Sequence, residues 1–183
     1  MKLPDLIILD EKEKILHTTS KEVTFPLSSE DKKVIKDSLD YLKMSQIKEY
    51  YEKYNLRPGM GLSLVQLGIP KRIFVIVEEL EENEFRNYII INPKIISHSE
   101  ELIYVGEGEG CLSVNRDVPG IVPRYARMKV EYQDLDGNIN TIRVREDISV
   151  AFQHEIDHLN GILFVDKIDK KNPFKDREKM REI

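Results

Sequence analysis

The chain has one cysteine, Cys111, among 183 residues, so no disulfide can close within it and no oxidising compartment is implied. It has no apolar run approaching the roughly 20 residues that span a bilayer. The first residues, MKLPDLIILDEKEKIL, hold a short apolar stretch broken by Asp5 and Asp10 and lack the core of a signal peptide, so the expected location is the cytoplasm. A basic excess is missing too. With 28 Lys and Arg against 33 Asp and Glu, neither tight nonspecific nucleic-acid binding nor attachment to an anionic membrane is expected, and no specific DNA binding. No repeat, linker or low-complexity block divides the sequence, and the length suits one domain over residues 1–183.

What is present is an alternation of patterns. Residues 1–24 read as an extended arm. Ser28-Ser29-Glu30-Asp31 starts a long amphipathic helix, with Val34, Ile35, Leu39, Leu42, Met44 and Ile47 at near-helical spacing up to about Tyr54; Arg57-Pro58-Gly59 ends it. IFVIV (73–77) is a short β-rich run, and YIIINP (88–93) is another, stopped by Asn92-Pro93. MKVEYQDLDGNINTIRVR (128–145) alternates on both sides of Asp136-Gly137, a hairpin signal. Helical periodicity returns from about Asp147 to Asn160, with Ile148, Phe152, Ile156 and Leu159 on one stripe and Gly161 behind it. ILFVDKI then reads as a strand, followed by a charged tail, KKNPFKDREKMREI.

Chemistry concentrates on that second helix, in QHEIDHLNG. His154 and His158 lie one turn apart on the same face, so both imidazoles can reach one ion. Glu155 sits about 100° round, facing a water beside such an ion rather than joining the row of ligands. A divalent ion lowers the pKa of its water, and a carboxylate can take the proton and return it to a leaving group. By itself the pattern fits a metal site and a pair of satisfied surface histidines equally.

Two histidines leave a tetrahedral site incomplete. Glu178 is one source of a third ligand, as in a zinc protease, although it lies in a charged segment that reads as solvated and fraying. Cys111 is the other. It lies in GEGEGCLSVNRDVPG, where Gly108 and Gly110 allow close backbone approach, and a thiolate is a strong ligand. One sulfur and two nitrogens suit zinc or iron(II). A third stretch, RPGMGLSLVQLGIP, is no dinucleotide fingerprint, because Leu64 stands where the third glycine is needed. Gln66 is its single amide.

Together GMGLSLVQLG, EGCLS and QHEIDH, in this order, resemble the peptide deformylase family, over roughly residues 56–165. NRDVPGIVPR, YQDLDGN and ILFVDKI resemble its type 2 branch, which ends in a strand. The resemblance implies a metal-dependent hydrolase that removes the formyl group from N-formylmethionine on newly synthesised chains, releasing formate. It implies an α+β fold, antiparallel β-sheets packed around a central helix that bears HExxH, with a long N-terminal amphipathic helix besides. Carried over, Cys111, His154 and His158 hold the metal and Glu155 is the general acid/base. Gln66 hydrogen-bonds the attacking water and the formyl oxygen, and the Leu112 N–H donates to that same oxygen. Gly61 and Gly110 present backbone to a substrate lying like an added strand. Val150, Ala151 and Met60 are candidates for the wall of a methionine pocket. Glu109 and Arg124 are expected to pair, and Asp157 to orient a ligand imidazole. Iron(II) is the favoured ion, with zinc, nickel or cobalt able to replace it.

The sequence departs from the family in one place. The usual first motif is GxGLAAxQxG, and here the two alanines are Ser63 and Leu64, so Leu64 is expected to need a small partner such as Ala151. This motivates one further alternative, a non-catalytic peptide-binding relative. The expected partners are the formylmethionyl nascent peptide and, transiently and weakly, the ribosome, which the tail from Asp166 onward could touch through its RNA.

Overall fold

The computed structural model describes residues 1–183. In chain order its elements are α1 (Ser29–Gln46), α2 (Lys48–Tyr54), β1 (Gly61–Ser63), β2 (Ile73–Glu81), β3 (Glu84–His98), β4 (Leu102–Tyr104), β5 (Arg124–Tyr125), β6 (Arg127–Gln133), β7 (Ile139–Arg145), α3 (Glu146–Leu159) and β8 (Arg181–Glu182). Five strands form an antiparallel sheet in the order β1-β2-β3-β6-β7, and β5-β4-β8 form a smaller one. The architecture is α+β. No helix is long and apolar enough to cross a membrane.

IFVIV is apolar throughout because β2 is covered on both faces. Ile73, Val75 and Val77 pack with Ile35 and Leu42 of α1, while the alternate residues Phe74 and Ile76 pack with Phe152, Ile156 and Leu159 of α3. The middle of the large sheet is thus a wall shared by two helices. The hairpin at Asp136-Gly137 forms as expected, joining β6 to β7 in register from Arg127↔Arg145 to Gln133↔Ile139.

Four details differ from the sequence reading. The first helix is two. Ser28 caps α1 by accepting from the Asp31 N–H at 3.0 Å, but the helix breaks at Ile47, which is extended. There Gln46 Nε2 donates to the carbonyls of Gly59 and Val77, each at 2.9 Å, drawing the helix end onto the sheet. The stop of α2 is Asn55 in the left-handed region, ahead of Arg57-Pro58-Gly59.

β3 is not stopped by Asn92-Pro93. Proline has no N–H for the ladder, and the register shifts between Ile91 and Lys94, yet the strand resumes. Asn92 has φ 50°, and its amide bridges the irregularity to both backbone groups of Val23 and to Gln133 Oε1.

ILFVDKI is no strand. Phe164–Lys167 form a 3-10 turn whose Asp166 carboxylate accepts from the Leu163 N–H at 2.9 Å, burying Leu163, Phe164 and Ile168. The strand that ends the chain lies further on. β8 pairs in parallel with β4, so the charged tail is docked at its end rather than fraying, with its charged side chains still exposed. Arg181 donates to Glu101 at 2.8 Å and to both oxygens of Glu146 at 2.9 and 2.8 Å.

Candidate active site

The three sequence segments converge although they are far apart in the chain. β1 runs into a 3-10 turn at Leu64–Leu67, which carries Gln66; the loop after β4 carries Cys111; α3 carries His154, Glu155 and His158. The N-terminal arm ties all three together through backbone bonds. The Leu9 N–H donates to Gln66 O at 2.8 Å, Glu11 N–H to Ser113 O at 2.7 Å, and Ser20 N–H to Leu159 O at 2.8 Å. At the far end of α3 Gly161 has φ 74°, and a Cβ on it would stand 2.7 Å from the carbonyl carbon of His17. Only glycine turns the chain there against the arm.

Cys111, His154 and His158 each aim a donor atom at one point, all within 4.8 Å of one another. His158 Nε2 lies 3.3 Å from Cys111 Sγ, and its buried Nδ1 has no partner in the chain. His154 donates through Nδ1 to Glu109 Oε1 at 3.0 Å, which leaves Nε2 to bind an ion. Burial by itself would raise the Glu109 carboxyl, but hydrogen bonds from His154 and Arg124 outweigh it and hold the group at about 2. Glu109 is therefore ionised and accepts. Burial pushes His154 down, yet Cys111, Glu109 and the charge of Glu155 raise it well above the ordinary histidine value. His158 is held well below by burial and by the charges of His154 and Arg124. Groups that favour a proton on His154 favour a cation in its place. The donor set and its field fit a divalent metal.

The expected pair is present: Arg124 donates through Nε and Nη2 to the two oxygens of Glu109, each at 2.9 Å, with both side chains buried. Asp157 does not orient an imidazole. Its Oδ2 accepts from Arg124 Nη1 at 2.6 Å and its Oδ1 lies 3.3 Å from Lys167, so it turns away from the rings to hold the arginine. Glu109, from the cysteine loop, holds His154 instead. Glu178 is exposed on the 3-10 turn Arg177–Lys179 and has no part in the donor group, which excludes it as third ligand.

Glu155 is buried, and burial raises its carboxyl against the opposing charge of His154 and the bond from Ser63. It lines a cleft of about 940 Å³ together with Gln66, Cys111 and Leu112. Gln66 is held on both sides: Oε1 accepts from the Ser63 N–H at 2.9 Å, and Nε2 donates to Ser113 Oγ at 3.0 Å while lying 3.6 Å from Cys111 Sγ. The Leu112 N–H donates to nothing in the chain. Met60, Gly61, Gly110, Val150 and Ala151 line the same cleft. Gly61 has a further reason to be glycine, since a Cβ there would meet Glu155 Oε1 at 2.5 Å. Leu64 and Ala151 belong to different packing clusters. Leu64 packs in the α1-side core with Leu62 and Ile35, whereas Ala151 lies against the Phe74–Phe152 side, so Ala151 is not the small partner of Leu64.

Sequence reasoning gives no role in the site to three contributors. Arg57 donates to the carbonyls of Cys111 at 2.6 Å and Val114 at 2.9 Å, fixing the cysteine loop. Ser113 receives the Gln66 amide, and Ser63 touches Glu155. Each serine is a polar residue inside an apolar run, and that was the available signal.

A family model described as polypeptide deformylase matches residues 6–174. The chain belongs to the polypeptide deformylase family. It is a hydrolase that removes the N-formyl group from nascent polypeptides, and the family is metal-dependent. Membership as an enzyme sets aside the non-catalytic alternative. Peptide deformylase 2 of Geobacillus stearothermophilus is 46% identical over 167 residues, covering 91% of each chain. The crystal structure of peptide deformylase from Ehrlichia chaffeensis is 32% identical with a TM-score of 0.74, covering 91% of this chain and 89% of that one. A Met-Ala-Ser-bound class I type b peptide deformylase from Acinetobacter baumannii is 28% identical, TM-score 0.70, covering 91% and 100%.

Proposed function

We propose that residues 1–183 form one deformylase catalytic domain in which Cys111, His154 and His158 hold a divalent metal and Glu155 carries the proton of the reaction. On this reading α3 is the central helix around which the sheets pack, and α1 is the N-terminal amphipathic helix. The observation that carries it is the convergence of three buried donor atoms within 4.8 Å on a cleft that Glu155 also lines. When bound, the ion acts as a Lewis acid and lowers the pKa of water beside it. Iron(II) is the preferred ion, with zinc, nickel or cobalt as substitutes.

The formylated N-terminus lies in the cleft beside Gly61 and Gly110, and its methionine side chain sits against Val150, Ala151 and Met60. The Met-Ala-Ser bound by the Acinetobacter relative has the methionine-first form that such a substrate takes once its formyl group is gone. The water oxygen bonds to the formyl carbon as one of its protons passes to Glu155. The C–N bond then breaks as Glu155 returns that proton to the departing amine, giving formate and a free N-terminus. Negative charge on the formyl oxygen is met by the uncommitted Leu112 N–H and by Gln66, donors worth a few kcal/mol, roughly, at such positions. Gln66 Nε2 gives one N–H to Ser113 and keeps the second beside Cys111 Sγ, on the side of the site, so it can meet the formyl oxygen without giving up the serine.

The enzyme works in the cytoplasm on chains leaving the ribosome, which it meets transiently; neither membrane nor specific DNA is a partner. The test is formate release from formyl-Met-Ala-Ser by anaerobically purified protein, with metal content measured on the same sample. One ion per chain and rapid release are expected. Metal-free protein with full activity overturns the reading.

A further inference from the structure

We propose that Ser63 is a positioning residue for Glu155, its hydroxyl holding one carboxylate oxygen so that the other faces the cleft. The inference rests on the reading of Glu155 as proton carrier and concerns how this chain orients it. Ser63 Oγ donates to Glu155 Oε2 at 2.7 Å, with the Glu155 backbone oxygen 3.1 Å away. Both residues are buried. Ser63 ends β1, where its pairing with Phe74 fixes the backbone, and its own N–H donates to Gln66 Oε1 at 2.9 Å. One residue therefore sets two groups of the site, Gln66 through its backbone and Glu155 through its side chain.

The two carboxylate oxygens of Glu155 are not equivalent. Oε2 is taken by Ser63. Oε1 accepts from no group of the chain and lies against Gly61, whose missing side chain leaves it room on the cleft. The terminal torsion of a glutamate is broad, so a carboxylate without a directional partner turns over a wide range of angles. A buried donor to a charged oxygen removes that freedom. The alanine usual at this position of the family motif has no donor, so the device belongs to chains with a hydroxyl here.

The test compares Ser63→Thr with Ser63→Val, two side chains of one shape that differ in the hydroxyl, alongside Ser63→Ala and Glu155→Gln. In formate release, kcat of Ser63→Val and Ser63→Ala is expected to fall roughly tenfold below that of Ser63→Thr, the scale of one charged hydrogen bond. KM and bound metal are expected to stay within about twofold of each other across the set, since the bond touches neither substrate nor ion. Adding Ser63→Ala to Glu155→Gln should leave the residual rate unchanged, and crystals of Ser63→Ala should show the Glu155 carboxylate in more than one orientation. Equal kcat for the Thr and Val variants overturns the inference while leaving the function standing. A wild-type rate in Glu155→Gln, or no formate from the wild type, overturns the functional reading and this inference with it.

Discussion

His154 donates to Glu109 at 3.0 Å, and Glu109 is itself gripped on both oxygens by Arg124. The ring is thus aimed by a carboxylate that cannot swing. Glu109→Gln keeps the shape and removes the charge, and metal affinity, read by chelator competition, is expected to fall about 10–100-fold. Arg124→Ala strands Glu109 and Asp157 in the interior. It is expected to cost about 3–5 kcal/mol in urea unfolding and to loosen the metal as well.

The ligand assignment separates two residues cleanly. Cys111→Ser is expected to lose most bound metal and formate release, because a hydroxyl is a poor substitute for a thiolate. Glu178→Ala changes an exposed turn and should alter neither. Metal analysis of both proteins checks this.

At Gly61 the space itself is functional. Gly61→Ala puts a Cβ 2.5 Å from Glu155 Oε1, and the carboxylate must move. Formate release should fall about 10–100-fold in kcat, the scale of a misplaced catalytic group, with the circular dichroism spectrum unchanged.

The docked tail carries a pH signature. Hydrogen bonds from Arg181 hold the Glu101 and Glu146 carboxyls below the ordinary glutamate value of 4.5. Folded-state values lower than unfolded ones mean that the stabilisation is complete above 4.5 and disappears as pH falls through the lowered values. The Ile183 amide, which donates to Tyr104 O at 3.0 Å, should lose its native NMR shift in acid before the bulk of the protein does. In Arg181→Ala that early transition should be absent.

Where structure follows from local pattern, the sequence was readable. Asp136-Gly137 between alternating runs could only be a hairpin, and HEIDH at helical spacing puts two imidazoles on one face. The failures share a cause, which is that the deciding partner lies far along the chain. Nothing near Ile47 announces the pull of Gly59 and Val77 on Gln46. The Asn92 irregularity depends on Val23, and β8 depends on β4. In the site, Asp157 is the carboxylate expected to orient a ligand imidazole, while the actual partner of His154, Glu109, arrives from a loop. Ser63 was read as a lost alanine; its meaning depends on a carboxylate that only tertiary structure brings within reach.

The arm that bonds to Gln66, Ser113 and Leu159 meets partners drawn from three distant stretches of the chain. Ser20 is paired with Leu159, so the arm's contacts are among the most non-local in the molecule. The positions of Gln66 and of the cysteine loop are therefore tied, through one strip of backbone, to the end of the helix that carries His154 and His158, so a disturbance at any of the three is felt at the other two.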